Sequence, residues 1–94
     1  MFTKEIEIVI IKYSKDALKF LEKLDKKSVQ RIRDAIQGLT KTPPEGDTKP
    51  LKGYSDGRKR LRVGKWRIIY NYSQDGEITI LIIIDIGNRG DIYK

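Results

Sequence analysis

The chain is 94 residues long, enough for one small domain (1–94), and it contains no cysteine and no histidine. That excludes a disulfide framework, a thiol nucleophile and a Cys/His zinc site, and leaves acid–base chemistry to Asp, Glu, Lys, Arg and Tyr. Its net charge of +7 is concentrated: residues 49–67 carry Lys49, Lys52, Arg58, Lys59, Arg60, Arg62, Lys65 and Arg67 against Asp56 alone, and the rest of the chain is neutral. A charge kept only for solubility would be spread out, so this stretch reads as a cationic site for a polyanion. No apolar run approaches the roughly 20 residues that span a membrane, and the first fifteen residues are too charged for a secretory signal. The expectation is a cytoplasmic protein with no membrane partner, no metal and no cofactor.

Residues 5–12 begin with strict alternation, Glu5-Ile6-Glu7-Ile8, then turn wholly apolar, which predicts a β-branched strand. Ser14 stands where a helix N-cap belongs, and Ala17, Leu18, Leu21 and Leu24 line one side of a short helix. Asp25 is the expected cap of a second helix with Val29, Ile32, Ile36 and Leu39 at three- and four-residue spacing, ended by Thr42-Pro43-Pro44. Residues 40–57 hold all three prolines and read as one long irregular loop, of the kind that more often carries function than merely connects.

From Arg58 the pattern becomes a β-meander. Arg60-Leu61-Arg62-Val63 alternates, Gly64-Lys65 fits a two-residue type II′ turn, and Trp66–Tyr72 returns. Asp75-Gly76 signals a second hairpin, leading into a strand over 77–86 that is apolar at both parities and is therefore expected to be central and covered on both faces. The whole predicts an α+β fold: an N-terminal strand, a two-helix antiparallel hairpin, then a three-stranded antiparallel meander, with the helices on one sheet face.

A two-residue turn fixes the register. Val63 pairs with Trp66, Arg62 with Arg67 and Leu61 with Ile68, so Leu61, Val63, Trp66 and Ile68 face the helices. Arg60, Arg62 and Arg67 share the other face, and no carboxylate of the meander lies near them. Opposed like charges destabilise a ladder, on a scale of about 0.2–1 kcal/mol. Two guanidinium forks held together are suited to phosphate oxygens; the alternative is solvated arginines on an open sheet face. Ile69, Ile80, Ile82 and Ile84 form an apolar floor beside them unless a bulge changes the parity. Such a mixed patch suits a covering peptide with acidic and apolar side chains. By themselves, Arg89 reads as a turn arginine, Tyr93 as a plug for the C-terminus or a base-stacking ring, and Lys49 and Lys52 as surface lysines able to track a phosphate backbone.

Taken in order, Leu24-Asp25-Lys26, Arg31-Ile32, Ile36, Leu39, Pro43-Pro44, Gly46, Lys52-Gly53, Leu61-Arg62-Val63-Gly64-Lys65-Trp66-Arg67-Ile68-Ile69-Tyr70, Ile86-Gly87-Asn88-Arg89 and Ile92-Tyr93 resemble the RelE/ParE superfamily of toxins from toxin–antitoxin systems. The resemblance covers nearly the whole chain, as a single RelE-like toxin domain. Its RelE branch implies a ribosome-dependent endoribonuclease that cleaves mRNA and is silenced by a cognate antitoxin. Its ParE branch implies a toxin acting on DNA gyrase. The paired arginines, Arg89 and Tyr93 favour RelE.

Carried over from RelE, Arg60 and Arg62 match the basic residues of the second strand, with Lys59 the alternative for one of them. Arg67 matches the arginine before the Ile-Ile-Tyr run, Arg89 the arginine after the last strand, and Tyr93 the catalytic tyrosine. Lys52 matches a basic loop residue, and Lys49, Lys59 and Lys65 join it as RNA-binding candidates. Asn88 stands where many relatives have histidine, which removes a histidine-based mechanism. Tyr93 is then the expected base, its pKa lowered from about 10 by neighbouring guanidiniums. Arg62 and Arg67 would stabilise the phosphorane, Arg60 would position the phosphate, and Arg89 would hold it or assist the leaving group. A plain RNA-binding module is the remaining alternative.

Overall fold

Alternating side chains give Ile8–Tyr13 (β1) two different faces: Val9, Ile11 and Tyr13 pack against the core, while Ile8 and Ile10 are exposed on the other side. The computed structural model describes residues 8–88, and every structural statement below concerns those residues. Arg89, Tyr93 and the start of the first predicted strand lie outside them.

Ser14 ends β1 and caps the first helix, Lys15–Glu22 (α1), its hydroxyl accepting from the Ala17 amide at 3.0 Å. Asp25 caps the second, Lys26–Gly38 (α2), accepting from the Ser28 amide and hydroxyl. Ala17, Ile32, Ile36 and Leu39 are fully buried, as their spacing requires. Leu18 departs from the expected stripe and is 46% exposed, because a two-turn helix has room to bury only a narrow line of side chains.

The sheet has five strands in the order β1-β5-β4-β3-β2, where β2 is Asp47–Pro50, β3 Lys59–Val63, β4 Trp66–Asp75 and β5 Ile78–Asn88. Strands β2 to β5 are antiparallel to their neighbours, and β1 joins parallel to β5 across the helical crossover. The expected fold class holds, with one addition: Asp47–Pro50, anticipated as irregular loop, is an edge strand on β3. Pro50 is tolerated there because an edge leaves one row of backbone groups without ladder partners. Gly46 admits the chain to this edge: its φ is +122°, and a Cβ would lie 2.7 Å from Leu61 Cδ1.

Two turns set the registers. Gly64 has φ +58° and Lys65 does not share the positive sign, the pattern of a type II′ turn. The second hairpin turns on Gly76-Glu77, because Asp75 already pairs with Ile78. Between Ile69 and Tyr70 the β4–β5 register slips, leaving Ile84 as an extra residue. Ser14 fixes the bulge, donating from its amide to the Ile83 carbonyl at 2.9 Å and from its hydroxyl to the Ile84 carbonyl at 2.6 Å. Strand β5 is central, but no described element covers the side away from the helices, where Ile80 and Ile82 remain half-buried.

Candidate functional site

The hairpin pairs Val63 with Trp66, Arg62 with Arg67 and Leu61 with Ile68, the register that its two-residue turn predicts. Leu61, Val63, Trp66 and Ile68 are buried in the helix-facing core. Alternation therefore sends Arg60, Arg62 and Arg67 to the uncovered face, with Ile69 opposite Arg60. Lys49 pairs with Arg60 and joins the same face from the edge strand.

Sequence reasoning missed the carboxylate that sits among them. Asp47 pairs with Arg62 across β2 and β3. Its Oδ1 lies 3.5 Å from Arg60 Nη1 and its Oδ2 3.9 Å from Arg62 Nη1, so one carboxylate spans two guanidiniums. The Asp47 carbonyl also accepts from Arg60 Nη1 at 3.2 Å. The expected absence of a nearby counter-ion fails at this edge, because residues 47–50, where irregular loop is expected, pair with β3. The signal available was Thr48-Lys49-Pro50, a short polar run closed by a proline, as edge strands often are.

The three arginines differ in exposure. Arg60 is 5% exposed, so its contribution is to the frame and the local potential. Arg62 is about one-third exposed at the side chain, and its Nε is buried without a hydrogen-bond partner. Arg67 is half-buried and faces Gly87 across β5, which offers it no side chain. A second acidic residue arrives through the bulge. With Ile84 extruded from the register, Asp85 pairs with Ile69 and stands on the arginine face, diagonal to Arg67. No pattern in the sequence marked that parity change.

The remaining candidates are dispersed. Lys59 pairs with the core residue Tyr70 and lies toward the helix side, its Nζ 6.0 Å from the Tyr72 ring centre. Lys65 is at the hairpin tip, 5.5 Å from the Trp66 ring centre, with Arg31 of α2 at 5.9 Å from the same ring. Lys52 is exposed in the loop after β2. The apolar floor is present in part: Ile69 is buried, Ile80 and Ile82 are half-buried beside it, and Ile84 is taken into the bulge.

Burial pushes the Tyr13, Tyr70 and Tyr72 hydroxyls above the usual phenol value, so none of them is adjusted to act as a base. Tyr72 donates to the Leu39 carbonyl at 2.8 Å and braces the end of α2. Among the described residues no acidic cluster could hold a metal ion. No described helix is long and apolar enough to cross a membrane.

Known proteins share this fold. The chain is similar in structure to RelE in the RelE–RelB complex of Pyrococcus horikoshii, with 26% identity and a TM-score of 0.69 over 92% of this chain and 99% of that one. It is similar to the toxin in the RelB–RelE complex of Methanococcus jannaschii, at 26% identity and TM-score 0.63 over 87% and 94% of the two chains. It shares its fold with a YoeB/ParE toxin from Agrobacterium tumefaciens, at 24% identity and TM-score 0.71 over 85% and 98%. No curated protein matches the sequence. Residues 11–93 match the family described as the ParE toxin of type II toxin–antitoxin system, parDE. That match runs from β1 through the opposed arginines and beyond the last strand, and the chain belongs to the ParE toxin family, as a toxin of the RelE/ParE superfamily.

Proposed function

We propose that this toxin is a metal-free endoribonuclease of the RelE kind, cutting mRNA on the ribosome. The observation that carries the reading is the direct opposition of Arg62 and Arg67, both partly exposed, on the sheet face away from the helices. Two planar forks on directly opposed residues suit the non-bridging oxygens of one phosphate and gain strength as those oxygens acquire charge. In the reaction the ribose 2′-oxygen attacks phosphorus and its proton passes to Tyr93. The bond to the 5′-oxygen breaks and that oxygen takes up a proton from solvent, leaving a 2′,3′-cyclic phosphate and a 5′-hydroxyl. Arg62 and Arg67 stabilise the intermediate charge, Arg60 sets the potential beneath them, and Arg89 holds the phosphate or assists the leaving oxygen. Lys49 extends the cationic track along β2, with Lys52, Lys59 and Lys65 as outer contacts.

The partner that silences such a toxin is a cognate antitoxin, as the RelE–RelB complexes among its structural relatives favour. A segment bearing carboxylates and aliphatic side chains would meet the arginines and the isoleucine ridge of Ile8, Ile10, Ile80 and Ile82 together. The second reading is a ParE-like inhibitor of DNA gyrase, which the family match itself favours.

A translation extract given the purified toxin separates the two. New mRNA 5′ ends within coding sequence, appearing only when ribosomes are present, are the expected result. Intact mRNA with inhibited gyrase supercoiling is the result expected of the ParE reading.

Asp47 makes a further demand on this reading, because a phosphate entering the fork of Arg62 competes with a resident carboxylate. Asp47→Asn removes that competitor and is expected to tighten single-stranded RNA binding several-fold at low salt, an advantage that shrinks as salt is raised. The stability cost is about 0.2–1 kcal/mol, because the carboxylate is exposed and Arg60 keeps the main-chain carbonyl as a partner. Titration of labelled RNA at two salt concentrations, beside thermal unfolding, measures both effects. Weaker RNA binding by the variant would show that Asp47 assists the phosphate rather than competing with it.

A further inference from the structure

The loop of residues 51–58, between β2 and β3, carries a feature that the reaction does not use. Its ends are closed by the Leu51 amide donating to the Arg58 carbonyl at 3.1 Å. Within it, Asp56 takes Arg58 in a fork, accepting from Nε at 3.1 Å and from Nη2 at 2.7 Å, while its Oδ1 accepts from the Arg58 amide at 3.2 Å. Asn71 of β4 ties the same turn to the sheet, donating to the Asp56 carbonyl at 2.7 Å. The guanidinium so fixed lies 4.2 Å from the centre of the Tyr54 ring. Tyr54 is nevertheless 50% exposed, the one aromatic among the exposed large hydrophobic residues of the described chain.

An aromatic ring left half in water and backed by an immobilised planar cation is well suited to receive another flat ring. The fork to Asp56 neutralises much of Arg58's charge, so that residue contributes a fixed surface more than attraction for phosphate. We propose that Tyr54 is a stacking platform for an unpaired nucleobase of single-stranded RNA, a reading that rests on the RNA-directed function above. Stacking of this kind tolerates any base, because every base has a π-face. From Arg62 to Arg58 the strand advances four residues, roughly 13 Å. The stacked base therefore belongs to a nucleotide flanking the cleaved phosphate, and the contact fixes the path of the strand rather than the chemistry.

The test is the affinity of the free toxin for a fluorophore-labelled, unstructured RNA oligonucleotide, measured by anisotropy. Tyr54→Ala is expected to weaken binding about 5- to 150-fold, and Tyr54→Phe by less than about twofold. Tyr54→Leu, which keeps apolar bulk without a π-face, should behave as Tyr54→Ala does. An oligonucleotide made abasic along its length should bind wild type and Tyr54→Ala alike. Melting temperatures of the variants should match wild type, since the ring bears on an exposed loop. Unchanged RNA affinity in Tyr54→Ala, with a loss in Arg67→Ala, would overturn the platform and leave the RNA-directed reading standing. Absence of RNA binding by the wild-type protein, tested with the ribosome present and absent, would remove both. Retained RNA affinity with lost antitoxin affinity in Tyr54→Ala would assign the ring to the protein partner and overturn the proposal.

Discussion

Tyr93→Phe is expected to lower mRNA cleavage by about 10²- to 10⁴-fold while ribosome binding changes little, because the substitution removes one hydroxyl and keeps the ring. The size follows from the protein's inventory. With no histidine and no cysteine, a base for the ribose 2′-hydroxyl must be a carboxylate, an amine or a phenol. The Tyr13, Tyr70 and Tyr72 phenols are pushed upward by burial, and Tyr72 is already engaged with the Leu39 carbonyl. A tyrosine beside guanidiniums is displaced in the opposite direction, since the cations favour phenolate. The rate should then rise with pH below the phenol's pKa in the wild type and lose that slope in Tyr93→Phe. If the ring only stacks, Tyr93→Phe should be silent and Tyr93→Ala should cost about 1–3 kcal/mol of binding. If it plugs the core, Tyr93→Ala alone should lower the melting temperature. Single-turnover cleavage on programmed ribosomes, with unfolding curves of both variants, distinguishes the three cases. Equal activity in wild type and both variants would remove Tyr93 from the site.

Much of this architecture was legible because it is written in local chemistry. Ser14 and Asp25 announce the two helices as caps, and both accept the expected amides. Gly64-Lys65 fixes a turn length, and turn length fixes a register; the opposition of Arg62 and Arg67 follows with no knowledge of the rest of the fold. What could not be read depends on contacts between distant segments. Asp47 becomes a counter-ion only because β2 lies along β3, and a four-residue edge strand ending in proline carries too little periodicity to separate it from loop. Asp85 faces the arginines because Ser14, some 70 residues away, holds the bulge at Ile84. The isoleucine run from 80 to 84 hides this, since a strand apolar at both parities looks the same in either register. The arginine face thus has an ion-paired carboxylate, Asp47, on its β2 flank and a second carboxylate, Asp85, in register on its β5 flank, neither of which carries a local mark of that placement.

Arg67→Ala is expected to reduce cleavage about 10²- to 10³-fold, corresponding to about 2.7–4 kcal/mol of lost transition-state stabilisation, and to leave the protein folded. Relief of the like-charge contact with Arg62 works in favour of stability by up to about 1 kcal/mol, against packing lost from a half-buried side chain. The same change at Arg60 should behave in the opposite way. Arg60 is 5% exposed and bonded to Asp47, so Arg60→Ala should destabilise the β2–β3 edge and lower activity through the fold. Arg67→Lys adds a finer test, because it keeps the charge but loses the planar fork. If phosphate is gripped by two coplanar donors, lysine should recover only a small part of the rate. If the site needs positive potential alone, lysine should recover most of it. Cleavage rate and melting temperature measured together on the three variants decide the matter. A large loss of stability with unchanged cleavage in Arg67→Ala would make the arginine pair structural, and the gyrase-directed reading would then be the stronger one.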